Sequence, residues 1–297
     1  MKNIAILLTC HNRKDKTIKC LQSLFLAKEL YQNDIDLTVY CTDDGCTDGT
    51  ASAIIDMFKD KQIKILSGTG LLYWAGGMRN SWNEALKIHY DGYLLLNDDT
   101  YLNKEAFDEL FSMQKFSIKE FKTEGIYCGI TCESINEQTT YGGRIIVSSF
   151  FYTSKSLHPN GNFQSCDLGN ANIMYVPQSV VNKIGILDKN YIHGMADYDY
   201  TLKAKNKKIP VLVSSKYIGI CENDHSDKYV LFRNKNLIQR IKFLNNPLNL
   251  AFTDNLYYMR KHFPQRYLLY LVIGWFKTIF PNIYLQINRK RFDNMKD

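Results

Sequence analysis

The sequence contains no Cys-x-x-Cys pair and no histidine-rich tract. Its eight cysteines and six histidines are scattered over 297 residues, which removes the spacing that a zinc site or a dithiol redox motif requires. Free thiols in a reducing compartment are the expectation. No GxxxxGK[ST] occurs, and the segment after the first strand-like run, Thr9 to Arg13, lacks glycine. Neither a P-loop nor a GxGxxG dinucleotide fingerprint therefore stands where its chemistry would need it. The longest apolar stretch, Tyr267 to Phe280, is about 14 residues and carries Lys277, short of the roughly 20 that span a bilayer. Met1 leads directly into Lys2 and a short apolar run, so no export signal is expected. Internal repeats and nucleic-acid recognition modules are also absent. What remains, at 45% hydrophobic and 23% charged, is the composition of a chain that folds throughout.

The first half alternates strand and helix patterns. Ile4 to Leu8 is a continuous apolar run, and Ile18, Leu21, Leu24 and Phe25 then recur at helical spacing. Strands are expected at Leu37 to Cys41, Ile63 to Leu66 and Tyr93 to Leu96, and helices at Thr47 to Phe58, Met78 to His89 and Asn103 to about Met113. Repeated βα units predict an α/β fold with a mostly parallel sheet flanked by helices. Further strands are expected at Ile126 to Thr131, Ile145 to Ser148, Asn172 to Val176 and Val211 to Ser214. Helices are expected from Pro177 to Gly185 and from Tyr198 to Lys205. The character then changes, which predicts a catalytic domain over 1–226 and a helical, basic extension over 227–297.

In a parallel sheet, ligands bind outside the carboxyl ends of the strands. Two acidic clusters fall there, Asp43-Asp44 after the second strand and Asn97-Asp98-Asp99 after the fourth. Crowded carboxylates raise one another's pKa unless a cation compensates, and an all-oxygen donor set suits Mg2+ or Mn2+ better than zinc. Adjacent strand positions point to opposite faces, so Asp98 and Asp99 are expected to divide the work between a metal and a ribose hydroxyl. Trp74 is either a stacking surface for a sugar ring or a core or lid aromatic.

The ordered series TCHNR, DDGCTDGT, AGGMRN, LLLNDDT, GILD, ADYDYTLKA and DHS, over roughly residues 1 to 226, resembles the inverting family 2 glycosyltransferases of the GT-A fold, most of all their rhamnosyltransferase-like branch. The resemblance implies that Thr9 and Asn12 line a nucleotide pocket, that Asp43 or Asp44 bonds a uracil or thymine ring, and that Asp98 contacts ribose. It also implies that Asp99 ligates a metal bridging the donor diphosphate, with His225 nearby, and that Asp197 is the general base. Gly76, Gly77 and Arg79 match a Gly-Gly-x-Asn segment, with arginine replacing asparagine and able to reach the base or a phosphate. Asn97 replaces the first acid of a DxD-like motif, and Ala196 replaces a glutamate before the base. On a helix, Asp197 and Asp199 lie about 200° apart and cannot face one ligand; the resemblance selects Asp197, leaving Asp199 to cap the helix or pair with a lysine.

The implied reaction transfers a sugar from a UDP- or dTDP-linked donor to a hydroxyl of a glycan or lipid-linked saccharide, in bacterial surface polysaccharide synthesis. A nucleotidyltransferase acting on sugar phosphates, or a non-catalytic carbohydrate-binding protein, are the alternatives. The first should carry a glycine-rich loop after strand one, and the second has no need of two acidic clusters and a base at one edge. The net charge of +7 is uneven: the 70 residues from Lys228 hold 13 basic and three acidic side chains, or +10, which leaves −3 for the rest. With an apolar segment inside it, this tail suits either an anionic membrane surface or packing on the catalytic domain or against a second copy of the chain, and a cytoplasmic location with the tail on the inner face of the plasma membrane is the expectation.

Overall fold

The computed structural model describes residues 1–134, 138–223 and 228–288. Its first half is a run of βα units: β1 (Lys2–Cys10), α1 (Lys14–Leu30), β2 (Ile35–Asp43), α2 (Thr50–Met57), β3 (Ile63–Ser67), α3 (Tyr73–Ala85), β4 (Gly92–Leu96), β5 (Tyr101–Leu102) and α4 (Ala106–Phe121). There follow β6 (Ile126–Cys132), β7 (Gly143–Ser148), β8 (Thr153–Ser156), β9 (Gln164–Ser165), β10 (Leu168–Gly169), β11 (Ile173–Pro177), α5 (Gln178–Ile184), α6 (Ala196–Asn206) and β12 (Val211–Ile220). Five helices close the described chain: α7 (Lys228–Arg233), α8 (Leu237–Asn245), α9 (Phe252–His262), α10 (Pro264–Ile279) and α11 (Pro281–Ile287).

The main sheet runs β3-β2-β1-β4-β11-β6-β12-β5, with β9 on β12. β1, β2, β3 and β4 are mutually parallel, and β11 inserts antiparallel between β4 and β6. β10, β7 and β8 form a separate small sheet. Burial explains the continuous apolar run of β1: Ile4 to Leu8 are all fully buried because both sheet faces are covered. Ile4, Ile6 and Leu8 pack with residues of α1, α2 and α4, whereas Ala5 and Leu7 pack with residues of α3, α5, α6 and α9. Tyr258 and Met259 of α9 belong to this second core, so the basic segment contributes directly to the main body.

Two boundaries differ from the sequence expectation for local reasons. α2 begins at Thr50, not Thr47, because Gly49 sits at φ 78° and the Asp48 carboxylate accepts from the Thr50 amide at 3.1 Å. α3 begins at Tyr73, not Met78, and so carries Gly76 and Gly77 in its first turns. Free amides of its first turn are satisfied from outside: Asp44 accepts from Tyr73 at 2.8 Å and Ile192 O from Ala75 at 3.1 Å, and Asp44 also accepts from Gly70 in the loop before it at 2.8 Å, partners that sequence neighbours could not reveal.

Candidate functional site

The carboxyl ends of β1, β2 and β4 bring three loops to one edge of the sheet. β4 stops at Leu96, and Asn97, Asp98 and Asp99 follow in a turn closed by the Thr100 amide on Asn97 O at 3.1 Å. From the end of β1, the Arg13 guanidinium reaches across, with Nη1 2.6 Å from Asp99 Oδ2 and 3.3 Å from Asp98 Oδ1. Burial pushes the Asp98 carboxyl up to about 7 against the pull of Arg13, and Thr17 donates to its other oxygen at 3.4 Å. Asn97, where the resemblance leads one to expect an acid, accepts the Trp74 indole N–H at 2.7 Å. A neutral amide there fixes the tryptophan ring without adding a third negative charge.

Beside this cluster lies a cleft of about 430 Å3, a size suited to a small-molecule ligand. Four of the expected residues line it: Thr9, Asp44, Trp74 and Asp98. His11, Arg13, Tyr73, His193 and Leu248 line it as well, and the sequence reading gave none of these a role. Arg13 had a visible signal, since it sits inside TCHNR. Leu248 had none, because it arrives from the basic segment through the packing of α8 and α9. Three residues with positive φ border the site: Asn12 at 51°, Tyr73 at 53° and Met195 at 65°. Backbone strain of this kind persists where the surrounding structure holds it.

The remaining expected donor-site residues have structural partners that redirect their roles. Asn12 Oδ1 accepts the Thr47 amide at 2.7 Å and ties the β1 loop to the β2 loop. Asp44 is consumed by the amides ahead of α3, and Asp43 Oδ1 accepts the Cys46 amide at 2.6 Å. The Cys46 thiol also bonds the Asp43 carboxylate, and of the two acids it is Asp44 that lines the cleft. Gly77 permits contact between α3 and β1, since a Cβ there would lie 2.0 Å from Thr9 Oγ1. Gly76 packs its Cα side toward Leu72. Arg79, expected at the base or a phosphate, instead donates Nη1 to the carbonyls of Asp188 at 3.0 Å and Tyr191 at 2.8 Å. It pins the loop that leads to Asp197, because a half-buried guanidinium is better satisfied by two carbonyls than by open solvent.

Asp197 stands in the first turn of α6, next to the β10–β11 connection. Its Oδ1 accepts the Tyr198 amide at 2.8 Å, and its Oδ2 has only long contacts of 3.4 Å to the Ala171 amide and to Asn170. Burial pushes its carboxyl up to about 6. Asn172 O accepts the Asn97 amide at 3.1 Å, so this connection is the immediate neighbour of the Asn97-Asp98-Asp99 turn. Asp199 points the other way, as helical geometry requires. It is fully buried, and its Oδ1 lies 2.7 Å from His262 Nε2, 2.8 Å from Lys261 Nζ and 3.1 Å from the Tyr191 hydroxyl. Desolvation opposes its ionisation, but His262 and Lys261 outweigh it and hold the carboxyl below its ordinary range.

The same helix α9 supplies a second clamp. Asp254, buried, accepts with Oδ2 from the amides of Ile192 at 3.2 Å, His193 at 2.9 Å and Gly194 at 3.2 Å. Lys261 and the Tyr257 hydroxyl bond Asp188 at 2.7 and 3.0 Å. The loop between α5 and α6 is thus held by α3 on one side and α9 on the other. One of only three acids in a strongly basic segment, Asp254 had that as its available sequence signal.

The donor chemistry for a divalent cation can be tested against these contacts. Among the described residues no group of three or more His, Cys, Asp or Glu side chains converges, and His225 lies outside the described residues. Asp98 and Asp99 nevertheless present adjacent carboxylates that already hold a cation, the Arg13 guanidinium. A hard cation that takes its other ligands from phosphate oxygens and water needs only one or two such carboxylates, so the pair fits Mg2+ or Mn2+ carried in with a diphosphate.

No family model matches the sequence, and no curated protein matches it. Among solved structures, S. aureus TarS residues 1–349 in complex with UDP is 18% identical, with a TM-score of 0.50 over 86% of this chain and 69% of that one. The mannosyltransferase PcManGT from Pyrobaculum calidifontis, in complex with GDP-Man and Mn2+, is 11% identical, with a TM-score of 0.53 over 94% of this chain and 87% of that one. Against the longer S. aureus TarS structure, 18% identical with a TM-score of 0.49 over 86% of this chain, the chain spans 42% of the other's length. The likeness is one of architecture, a mostly parallel sheet flanked by helices, and the chain has a glycosyltransferase fold of the GT-A type.

Proposed function

We propose that the chain transfers a sugar from a nucleoside-diphosphate donor to a hydroxyl of a glycan or lipid-linked saccharide, inverting the anomeric centre, as the family 2 resemblance implies. The observation that carries this reading is the arrangement at one sheet edge: a cleft lined by Arg13, Asp98 and a Trp74 fixed by Asn97, with Asp99 beside it on the same arginine, next to the connection that holds Asp197 with a loosely bonded Oδ2 and a raised pKa. The neighbours solved with UDP and with GDP-Man and Mn2+ add support for a nucleotide-sugar ligand.

In this reading Trp74 offers its face to the sugar or base, and Asp98 accepts from a ribose hydroxyl. Asp99, and Asp98 beside it, would hold the divalent cation, which supplies Lewis-acid charge against the leaving diphosphate when bound. Arg13, released from the two carboxylates, can turn its fork toward phosphate oxygens. The acceptor oxygen forms a bond to the anomeric carbon as the bond from that carbon to the diphosphate oxygen breaks. The acceptor proton passes to Asp197, and the electron pair leaves with the nucleoside diphosphate. Asp43, one of the two acids for which the resemblance implies that contact, is assigned to a uracil or thymine ring.

A thermal-shift series with UDP-, dTDP- and GDP-sugars, with and without Mn2+, tests the donor class. Stabilisation by a pyrimidine donor is the expected result, and stabilisation by GDP-mannose alone would overturn the assignment of Asp43.

A further inference from the structure

Helix α10 is apolar on two faces: Tyr270 and Leu271 pack inward against Phe232, Phe243, Leu244 and Phe252, and a second apolar stripe points out. Leu268, Val272, Trp275 and Ile279 recur at spacings of four, three and four, which places them on one stripe. That stripe faces solvent, with exposures of 69%, 63%, 43% and 48%. The opposite face buries Lys277, 6% exposed, and Thr278, fully buried. A soluble helix places its apolar stripe inward, and a contiguous exposed one marks a surface that is covered in use. α11 continues it with Ile283 and Ile287 after a bend of 117°, and no single helix among the described residues is long and apolar enough to cross a bilayer.

A second exposed apolar element, more than a hundred residues away in sequence, is tied to the start of α10. The β7–β8 turn exposes Phe150 and Phe151, and it is tied to the start of α10 by Arg266 Nη1 on Phe150 O at 2.7 Å and Gln265 Nε2 on Ser149 O at 3.3 Å. Tyr152, at φ 49°, packs on Phe263 with ring centroids 4.7 Å apart, so the two phenylalanines are held out by an anchored backbone.

Charge decides what covers this face. Arg233, Lys235, Arg240, Lys242 and Arg260 form no ion pair among the described residues. Where α10 meets α11, Arg233 and Arg240 line a cleft of about 320 Å3 beside Phe280 and Asn282, and Arg240 Nε is buried there without a hydrogen-bond partner. Two copies meeting through this face would bring two segments of +10 together. An anionic surface neutralises both the segment and the cleft.

We propose that the outward face of α10 and α11, with Phe150 and Phe151, lies in the interface of an anionic bilayer, and that the Arg233–Arg240 cleft takes a lipid phosphate. The docking rests on the exposed stripe and the unpaired charges alone; only its purpose, delivery of a lipid-linked acceptor, rests on the transferase reading.

Flotation of the full chain with phosphatidylglycerol–phosphatidylcholine vesicles, against phosphatidylcholine alone, tests it. Recovery is expected with the anionic vesicles only. R233Q/R240Q should weaken that association by about 30-fold, the effect of two charges near an anionic surface. V272S/W275S should abolish it with donor-induced thermal stabilisation intact, which separates loss of docking from loss of fold or of donor binding. Equal recovery on both vesicle types, recovery on neither, or variants that float like the parent chain would overturn the proposal. So would a dimer in light scattering that V272S/W275S dissociates, which would assign the face to a second copy.

Discussion

Replacing Asp197 with asparagine separates the charge of this side chain from its shape. Asparagine keeps an oxygen to accept the Tyr198 amide at 2.8 Å, so the first turn of α6 loses little. It cannot take a proton, and removal of a general base costs about 100- to 10,000-fold in rate. The burial that raises the carboxyl from 3.8 to about 6 makes ionised Asp197 a liability to the fold, worth about 3 kcal/mol for about two units. The sign follows from that direction. The neutral acid is favoured in the folded chain, so this contribution is complete below about pH 4 and is lost as pH rises through about 6. D197N should therefore melt a few degrees higher than the parent at pH 8, with the difference vanishing toward pH 4. In the parent, transfer should fall as pH drops through about 7 and then 6, where Asp98 and Asp197 take up protons, and in D197N only the lower of these limbs should be lost. Differential scanning fluorimetry and a product assay from pH 4.5 to 8 would measure both. A variant that retains full activity, or one destabilised equally at every pH, would refute the reasoning.

Three further outcomes follow from the contacts around the cleft. D254A leaves the amides of Ile192, His193 and Gly194 without their carboxylate and should destabilise the chain by about 3 kcal/mol in urea melts, with a higher donor KM because His193 lines the cleft. G77A forces a methyl to within 2.0 Å of Thr9 Oγ1, so α3 must move from β1; about 1–3 kcal/mol of stability and much of the donor affinity should be lost, and a variant as stable as the parent would count against this packing. R13A frees Asp98 and Asp99 of their cation. Mn2+ binding without nucleotide, followed by electron paramagnetic resonance, should tighten, while binding of the nucleotide itself should weaken because a phosphate partner is gone.

Much of the architecture is legible because its determinants are local. The fully buried run Ile4 to Leu8 and the short apolar run Tyr93 to Leu96 declare strands by length and continuity, and the recurrence of Ile18, Leu21 and Leu24 declares a helix by its period. The division of labour between Asp197 and Asp199 was also readable, since 3.6 residues per turn forbids a shared face, and Asp199 does meet a lysine. Contacts between distant segments were not readable. Nothing near Met78 shows that α3 starts at Tyr73, because the cap is Asp44; nothing near Asp197 shows that α9 clamps its loop through Asp254 and Lys261. Arg79 was misjudged for the same reason. An arginine beside a Gly-Gly pair looks free to meet a phosphate until the fold brings the carbonyls of Asp188 and Tyr191 to it.

The central claim, that the cleft beside Trp74 and the Asp98–Asp99 pair holds a nucleotide sugar, is tested most directly by isothermal titration of the full chain with UDP and dTDP-sugars in the presence and absence of Mn2+. Saturable binding at one site per chain, strengthened by Mn2+ and at least tenfold weaker in both W74A and D99A, is the expected result. Absence of binding, or binding that neither substitution changes, would contradict the account.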